Sequence, residues 1–598
     1  MIGLLAALSG CVDQRVQSLE RDIRDLKLAV DDLDAERVLV DQAVRGAQAR
    51  GQLEYNRNPA GWDPRARLPA GNAERPDVLL ISIDTLRADH LGAYGYARDT
   101  SPTLDALASK GARFNSAWAP APWTLPSHTT LLSGRLPIDH GVIEDHLRIP
   151  ADVRLLQEAF HDAGYHTAGV VATLFVSRKF GFERGFDYFH DFDITDARVN
   201  NLATVTAENV FAHATHWARQ EPTGQPLFLF LHVYDVHYQY SPPAPWDTKF
   251  DRRGLPGDAH YVNYEKYLKH PLATDQLDHQ IAAYDEEIAY VDDQIRKFLE
   301  RWENNGRSAY VAITSDHGEE FSERGSWGHG HTLYPEQLHV PWILTGPGIE
   351  ARAFDDRVGT EDVAPTLAAL AGVAFEGPKG IARDGQVRTG IRPQADHVPG
   401  AFAETSRFHT NRIRWHAPPM DCYVDLVSGQ IRTCDLGKDA TCKTLADDPR
   451  RAAQCLSTLP AFLGTPWTAS AAGRVKVEGG AVYDGRNPPE RLISVSPGQG
   501  FAVIPGDAKV SFQAPDGKAS GPWRPLGGVL PDADAPLAFV GRATSERVEL
   551  SEDEKAMLES LGYIQREGGM DTRPGAATGK AGKAGKGGKG KEPGAGAD

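Results

Sequence analysis

Three long apolar runs, each ending in polar residues, dominate the pattern of the chain. They are DVLLISID (77–84), PLFLFLHVYD (226–235) and SAYVAITSDHG (308–318). Continuous apolar runs of this length predict strands that are buried on both faces, as in a parallel sheet. Helical patterns lie between them, for example at 101–111 and 151–164. The alternation predicts an α/β fold with a mostly parallel sheet between two layers of helices.

A heptad repeat occupies residues 12–45. β-branched residues recur at one seam position and leucines at the other, which favours a parallel two-stranded coiled coil and therefore a homodimer. A single amphipathic helix on the domain surface is the alternative. The repeating positions are Val16, Leu19, Ile23, Leu26, Val30 and Leu33.

Three further segments differ in composition from the apolar middle of the chain. Residues 46–75 are rich in Gly, Pro and Arg without periodicity, which predicts a linker. Residues 461–549 contain short strand-like runs and predict a β-rich appendage. The Gly/Ala/Lys tail at 566–598 cannot bury enough apolar surface to fold, so it is predicted to be disordered.

Length and charge narrow the class of protein. With 598 residues the chain has room for two or more domains. Its net charge of −17 argues against nucleic acid as a partner, because binding phosphates requires a basic face. The sequence contains no apolar run of about 18 residues that would predict a membrane-spanning helix.

The five cysteines indicate an exported protein. Cys422, Cys434, Cys442 and Cys455 lie close together but lack the short C-x2-C pairs of zinc sites. Two disulfides in an oxidising compartment fit this spacing better than zinc, and three pairings are possible. Cys11 ends an apolar segment, residues 1–11, that resembles a bacterial lipobox. Lipidation of Cys11 would anchor the protein in the cell envelope, facing the periplasm or the exterior. A buried N-terminal cysteine is the alternative.

Polar side chains at strand ends predict the position of a site. Asp84, Asp235 and Asp316 each fall at the carboxyl end of a predicted strand, where α/β sheets bind ligands. Thr124 lies two residues before Pro126, which is expected to open a helix that Gly134 ends. Thr124 is therefore either a helix cap or a nucleophile.

The residue types favour metal-assisted chemistry. Asp84, Asp316 and His317 suit a divalent cation of the zinc or manganese type. Such a cation on the oxygen of Thr124 would lower the pKa of the hydroxyl and would balance the charge of a phosphoryl or sulfuryl group.

Four ordered motifs resemble the sulfatases of the alkaline phosphatase superfamily. They are DVLLISIDTLRADHLGAYGY, TLPSHTTLLSGRLPIDHGV, AITSDHGEEFSERGSWGHGHTLYPEQLHVPWIL and EDVAPTLAALAGV. The resemblance implies a catalytic domain at 76–375, a smaller C-terminal subdomain with the four cysteines at 376–460, and a closing helix at 550–565.

Carried onto this sequence, the resemblance assigns roles to individual residues. It implies that a divalent metal (Zn, Mn or Ca) is bound by Asp84, Thr124, Asp316 and His317, with Thr124 also catalytic. His237 would bind substrate, and His329 or His331 would contact the sulfate or the leaving group. Arg135 and His128 occupy positions of the family signature that bind substrate or support the catalytic residue.

Three departures from the family pattern concern the chemistry. Sulfatases carry Cys or Ser at the position of Thr124 and oxidise it to formylglycine, whereas oxidised threonine would be a ketone. His128 replaces an arginine and Thr85 replaces a second aspartate. These changes resemble the threonine-nucleophile relatives, namely nucleotide pyrophosphatase/phosphodiesterases, lipoteichoic acid synthases and phosphoethanolamine transferases.

The sequence therefore leaves three functions open. The favoured one is a metal-dependent hydrolase or transferase in which Thr124 attacks a phosphate ester or a related anionic ester of a glycan, lipid or small molecule. The second is a sulfuric ester hydrolase that works without formylglycine. The third is a catalytically silent sulfatase-like module that binds anionic glycans or lipids.

The lipobox interpretation predicts the effect of replacing Cys11. The substitution Cys11→Ala should release the protein from the membrane fraction, because the acyl anchor can no longer form. Fractionation of cells that express the full chain tests this, and unchanged membrane association would contradict it.

Overall fold

The computed structural model describes residues 59, 63, 66–192, 205–251 and 271–375, and parts of the region 402–555. In that last region the described residues are 402–405, 412–417, 419–425, 430–435, 438, 442, 445–446, 448–457, 465–468, 473–478, 481–483, 492–495, 500–504, 509–513, 547–552 and 554–555.

An eight-stranded sheet forms the centre of the domain. Its strands are β1 (Asp77–Ile83), β2 (Ala112–Trp118), β3 (His166–Val171), β4 (Tyr188–His190), β5 (Leu227–Val233), β6 (Ala309–Thr314), β9 (His339–Thr345) and β10 (Arg352–Gly359). A two-stranded hairpin, β7 (Glu320–Phe321) and β8 (Trp327–Gly328), precedes β9 in the chain.

The strand order is β10-β2-β9-β6-β1-β5-β3-β4. Every neighbouring pair is parallel except the two that involve β9, which runs antiparallel to β2 and β6. The predicted fold class, a mostly parallel α/β sheet, is confirmed. β1 lies between β5 and β6, so all residues of its apolar run are buried.

Helices pack around this sheet. They are α1 (Pro102–Lys110), α2 (Thr124–Ser133), α3 (Pro137–His140), α4 (Leu156–Asp162), α5 (Ala207–Ala218), α6 (Thr274–Asn304), α7 (Pro335–Leu338) and α8 (Val363–Leu370). Short 3-10 helices span Ala88–His90, Gly92–Tyr94, Leu174–Val176, Arg178–Phe180, Trp246–Thr248 and Thr360–Asp362.

Two predicted helix starts are wrong by a few residues. The helix expected at 151–164 begins only at Leu156, because the Glu158 carboxylate accepts a hydrogen bond from the Leu155 N–H (2.7 Å) and so caps the helix there. The helix expected from Pro126 begins at Thr124 and ends, as predicted, before Gly134, which adopts φ 66°. Thr124 is therefore the first residue of α2 and not its cap.

One buried ion pair at the amino end of β1 ties together three elements and the loop that follows α6. The Arg307 guanidinium donates to both oxygens of Asp77, at 2.6 and 2.8 Å, and both side chains are almost fully buried. The same carboxylate accepts hydrogen bonds from the Trp302 indole of α6 (2.9 Å) and from the Leu227 N–H of β5 (2.9 Å). Full hydrogen bonding of this kind is what makes a buried ion pair tolerable.

A second, antiparallel sheet follows the domain built on the eight-stranded sheet. It contains β11 (Phe402–Thr405), β12 (Arg412–Ala417), β13 (Met420–Asp425) and β14 (Ile431–Asp435), and α9 (Pro449–Ser457) follows it. The expected two disulfides are present, with the pairing Cys422–Cys455 and Cys434–Cys442.

Residues 465–513 contribute six short strands in two three-stranded antiparallel sheets. These are β15 (Thr465–Thr468), β16 (Gly473–Glu478), β17 (Ala481–Tyr483), β18 (Leu492–Val495), β19 (Gly500–Ile504) and β20 (Lys509–Gln513).

Several predictions concern residues outside the described ones and stay predictions. They are the lipidation of Cys11, the coiled coil at 12–45, most of the linker at 46–75, most of the closing helix at 550–565 and the tail at 566–598. Among the described residues, no helix combines the length and apolar character needed to cross a membrane.

The Asp77–Arg307 pair generates a stability prediction. Asp77→Asn should lower the free energy of unfolding by about 3 kcal/mol or more, because it leaves the Arg307 charge buried without its partner. Glu300→Gln is the control, since Glu300 pairs with Arg296 at the surface of α6, where ion pairs contribute little. Thermal unfolding of both variants checks this, and an equal effect of the two would contradict it.

Candidate active site

Asp84 is buried at the carboxyl end of the central strand β1. Its N–H donates to the Val233 carbonyl at the end of β5 (2.9 Å), which fixes the turn out of the sheet. One carboxylate oxygen, Oδ2, lies 3.2 Å from Nε2 of His232. Because His232 Nδ1 accepts the Ala172 N–H, Nε2 carries the proton and donates to Asp84. Oδ1 of Asp84 accepts no hydrogen bond from the described residues.

Asp316 and His317 follow β6, the other neighbour of β1. Oδ1 of Asp316 accepts the N–H groups of His317 (3.0 Å) and Thr85 (3.3 Å), whereas Oδ2 accepts no hydrogen bond from the described residues. His317 Nδ1 lies 2.9 Å from the Gly318 carbonyl oxygen. Since a carbonyl can only accept, Nδ1 donates and Nε2 presents its lone pair to the two carboxylates.

Asp84, Asp316 and His317 fit a divalent cation. One ligand atom from each lies within 4.8 Å of the other two, and all three side chains are fully buried. Burial, and after it the charge of Glu319, raises the pKa of Asp84, while burial and then Asp84 raise the pKa of Asp316. Each aspartate has one carboxylate oxygen without a hydrogen bond, and His317 points the lone pair of Nε2 towards them. A metal of the Zn or Mn type binds this set of donor atoms. The site therefore meets the expectation of a divalent-metal centre.

Thr124 faces this triad from the first turn of α2. Its side chain is fully buried, and Oγ1 lies 3.4 Å from Nε2 of His317. The amino end of a helix carries a partial positive charge, which favours a bound anion at this point. The structure thus brings together the four residues expected to hold the metal.

His128 lies one helical turn after Thr124 in α2. Its Nδ1 donates to the Thr124 carbonyl (3.0 Å) and lies 3.3 Å from Asp316, and its Nε2 accepts from the Ser82 hydroxyl (2.9 Å). Burial, with His232 beside it, lowers its pKa, so the ring is neutral. The ring is fully buried, a position suited to supporting Thr124 rather than to contacting substrate.

His237 and His329 lie beside the triad. The His329 ring centroid is 4.4 Å from that of His317 and 5.0 Å from that of His237. His237 Nδ1 is held by the Tyr238 carbonyl, and burial, followed by the neighbouring His329, lowers the pKa of His237 to about 3. A neutral His237 suits a hydrogen bond to substrate.

His329 and His331 have different surroundings in the structure. His331 is buried, with Nε2 2.7 Å from the Ser326 hydroxyl and 3.2 Å from the Gln337 amide. Of the two histidines left open by the sequence, His329 is the one whose ring contacts His317 and His237. His331 instead helps to line a cavity of about 530 Å³ between the β7–β8 hairpin and the second sheet.

Arg135 is not brought to the site. It follows the carboxyl end of α2, and Thr124 opens the other end. At 1.5 Å per residue the ten residues of α2 separate the two positions by roughly 15 Å. An arginine at the far end of the helix is poorly placed to share a small anion with Thr124, and the assignment of Arg135 as a substrate-binding residue stays a prediction.

Two residues of the site were missed by sequence reasoning. His232 lies inside the apolar run of β5, where a single histidine carries no signal. Glu319 follows the Asp316-His317 motif directly, and its side chain is fully buried beside His329 (2.8 Å). The buried position of a glutamate in a polar segment could not be predicted from its neighbours.

The comparisons with known proteins agree with this geometry. Residues 76–373 match the family model described as Sulfatase. A Delta 4,5-hexuronate-2-O-sulfatase of Bacteroides thetaiotaomicron is 25% identical over 419 residues, which cover 63% of this chain and 86% of the relative. An arylsulfatase of Clostridium perfringens is 23% identical over 407 residues, which cover 56% and 83% of the two chains.

A solved structure shows the same fold. The phosphonate monoester hydrolase SpPMH from Silicibacter pomeroyi superposes with a TM-score of 0.51 at 19% identity, covering 64% of this chain and 93% of that one. At this identity the likeness concerns the fold alone.

The triad predicts how the protein binds metal. Asp316→Asn should weaken Mn²⁺ binding by at least about 100-fold, because it removes one of two anionic ligands. Without metal the same variant should unfold at a higher temperature than the wild type, because one of two neighbouring buried carboxylates is gone.

Calorimetric titration and thermal unfolding of the chelator-treated protein measure both effects. Asp292→Asn is the control, since Asp292 is a buried carboxylate that accepts the N–H groups of Thr103 and Leu104 at the start of α1. Unchanged Mn²⁺ affinity in Asp316→Asn would contradict the assignment of this site.

Proposed function

The chain belongs to the sulfatase family of the alkaline phosphatase superfamily, and from this premise we propose that it hydrolyses anionic esters with Thr124 as the nucleophile. It is a sulfatase-fold ester hydrolase. The observation that carries the proposal is the position of the Thr124 hydroxyl, buried 3.4 Å from Nε2 of His317 and beside two carboxylates.

A cation held by Asp84, Asp316 and His317 would lower the pKa of the Thr124 hydroxyl and balance the charge of the transferred group. Thr124, having lost its proton to solvent, attacks the phosphorus or sulfur of the ester with Oγ1. The bond to the ester oxygen breaks, and its electron pair stays on that oxygen. Water then attacks the same phosphorus or sulfur and frees Thr124, so one water is consumed for each alcohol and each phosphate or sulfate released.

The residues around Thr124 hold it for this attack. His128 fixes the backbone of α2 through the Thr124 carbonyl (3.0 Å), and the rings of His237 and His329 lie together beside His317. Neutral His237 donates Nδ1–H to the Tyr238 carbonyl, so its Nε2 would accept a hydrogen bond from a hydroxyl of the substrate without adding charge.

Phosphorus esters are the favoured substrates. Threonine cannot provide the aldehyde through which formylglycine enzymes release sulfate, whereas direct attack by an alkoxide suits phosphoryl transfer. Sulfate esters are the second candidate, because both named relatives carry sulfatase names. The relative from Bacteroides thetaiotaomicron favours an anionic glycan as the carrier of the ester.

Substitution of Thr124 tests the nucleophile. Thr124→Ala should lower turnover by at least about 10³-fold, because no hydroxyl remains to attack, and Thr124→Ser should keep most of the activity. The assay uses purified full chain with Zn²⁺, Mn²⁺, Ca²⁺ or Mg²⁺ and the 4-nitrophenyl esters of sulfate, phosphate, a phosphodiester and a phosphonate.

Thr129→Ala is the matched control. This buried threonine of the same helix donates only to the Leu125 carbonyl among the described residues (2.8 Å), so its loss should leave turnover close to that of the wild type. Turnover that survives in Thr124→Ala would contradict the proposal, and complete silence of the wild type with every ester would favour a binding module.

A further inference from the structure

The cavity between the β7–β8 hairpin and the second sheet is separate from the metal triad. Its volume is about 530 Å³, and the described residues that line it include none of the four expected to hold the metal. Sites for small organic molecules commonly measure roughly 300–1,000 Å³. The cavity is therefore large enough for an organic ligand of its own.

One face of the second sheet forms one wall of this cavity. Arg412 of β12 lies opposite Asp425 of β13, and Tyr423 of β13 lies opposite Arg432 of β14. Opposite residues of antiparallel strands share a face, and so do residues two apart along one strand, so these four side chains leave the same face of the sheet. All four line the cavity, with an arginine on each side of β13.

The hairpin and the segment that follows it form the other wall. The ring centroid of Tyr334 lies 5.1 Å from that of Tyr423 across the cavity, and the Arg324 guanidinium lies 4.2 Å from the Tyr334 ring. The Ser326 hydroxyl lies 2.7 Å from Nε2 of His331, and both of these side chains belong to the lining. Aromatic rings and hydrogen-bonding groups thus alternate around the cavity.

Positive charge exceeds negative charge on the described lining. It contains three arginines and two carboxylates, namely Arg324, Arg412, Arg432, Glu323 and Asp425. Glu336, outside the cavity, pairs with Arg324 (2.6 Å). Arg87, also outside it, pairs with Glu323 (2.5 Å). Two arginines then remain against the single carboxylate of Asp425. In a chain of net charge −17, this local positive excess favours an anionic ligand.

The two remaining arginines have N–H groups to offer. Nη1 of Arg412 donates to the His331 carbonyl and Nε lies 3.4 Å from Asp425, whereas Nη2 makes no hydrogen bond to the described residues. Arg432 is exposed and makes no hydrogen bond or ion pair with any described residue. Guanidinium groups bind carboxylates and the oxygens of sulfate or phosphate with paired donors.

We propose that this cavity binds an anionic sugar unit, at a site separate from the metal triad. Arg432 and Nη2 of Arg412 bind the carboxylate or the ester sulfate of the sugar, and Asp425 and Ser326 exchange hydrogen bonds with its hydroxyls. A sugar fits better than an inorganic ion, which would leave most of the cavity empty. It also fits better than an acyl chain, because polar side chains line both walls.

Two sources share this chemistry, namely the glycan that carries the ester and a second, separate glycan. His331 lines the cavity, and His329, two residues earlier, lies against His317. Two residues of extended chain span about 7 Å, so the cavity lies near enough to the triad for one glycan to reach both.

Calorimetric titration of the full chain tests the site. The probes are tetragalacturonate, which is anionic through carboxylates, a heparin-derived tetrasaccharide, which is also sulfated, and neutral maltotetraose of the same length. At least one anionic probe should bind about 10-fold or more tightly than maltotetraose, and salt should weaken that binding. The measurement needs no turnover, so its outcome is separate from that of the proposed function.

Substitution of Arg432 locates the binding. Arg432→Ala should weaken the affinity for the anionic probe by about 10-fold, and Arg432→Glu by more, because it places a negative charge at the same position. Both variants should unfold at the wild-type temperature, since the exposed Arg432 has no partner among the described residues. Arg474→Ala is the matched control, because Arg474 is an exposed strand arginine of β16 outside the cavity lining, and the affinity should stay within about 2-fold.

Inhibition of 4-nitrophenyl ester turnover separates the two sources. Competitive inhibition that weakens in Arg432→Ala would support the glycan that carries the ester, and binding without competition would support a separate glycan; each result supports the site. Equal affinity for anionic and neutral probes would overturn the proposal, as would no binding of either anionic probe. Wild-type affinity in both Arg432→Ala and Arg432→Glu would also overturn it. Absence of turnover of every ester would contradict the proposed function alone.

Discussion

The burial of two carboxylates at one point is the constraint on which this end of the molecule depends. Asp84 and Asp316 each keep one oxygen without a hydrogen bond from the described residues, and the imidazoles beside them are neutral. Such an arrangement is costly in a protein interior unless a cation completes it. The surrounding strands and helices hold these two carboxylates in place. The fold therefore accounts for the position of the metal site.

The order of the strands in the sheet brings the residues of the candidate site together. Because β1 lies between β5 and β6, the ends of these strands meet at one edge, where Asp84 lies 3.2 Å from His232 and has a ligand atom within 4.8 Å of one from Asp316. Helix α2 then brings a hydroxyl rather than a hydrophobic side chain against the triad. The Asp77–Arg307 pair fixes the opposite end of β1, so the central strand is held at both ends by buried charge.

The hairpin after the metal motif divides polar residues between two environments. Glu319 and Glu320 are adjacent and chemically identical, yet one faces the metal triad and the other a separate cavity wall with His331. Consecutive side chains of an extended segment point to opposite sides, which places the two glutamates in different surroundings. A segment that is dense in Glu and His thus places one pair beside the metal triad and the other at the cavity next to the second sheet.

The sequence by itself determined the fold class, the strand-end carboxylates and the metal motif, because buried parallel strands leave continuous apolar runs whose ends are visible in one dimension. The resemblance to the family added Thr124 and its neighbours to the predicted site. Only the tertiary structure showed that His329 and not His331 lies against His317, placed Arg135 at the far end of α2 from Thr124, paired the four cysteines and revealed His232 and Glu319. Those outcomes depend on which way a side chain points and on how far apart two helix ends lie, and neither is fixed until the elements pack.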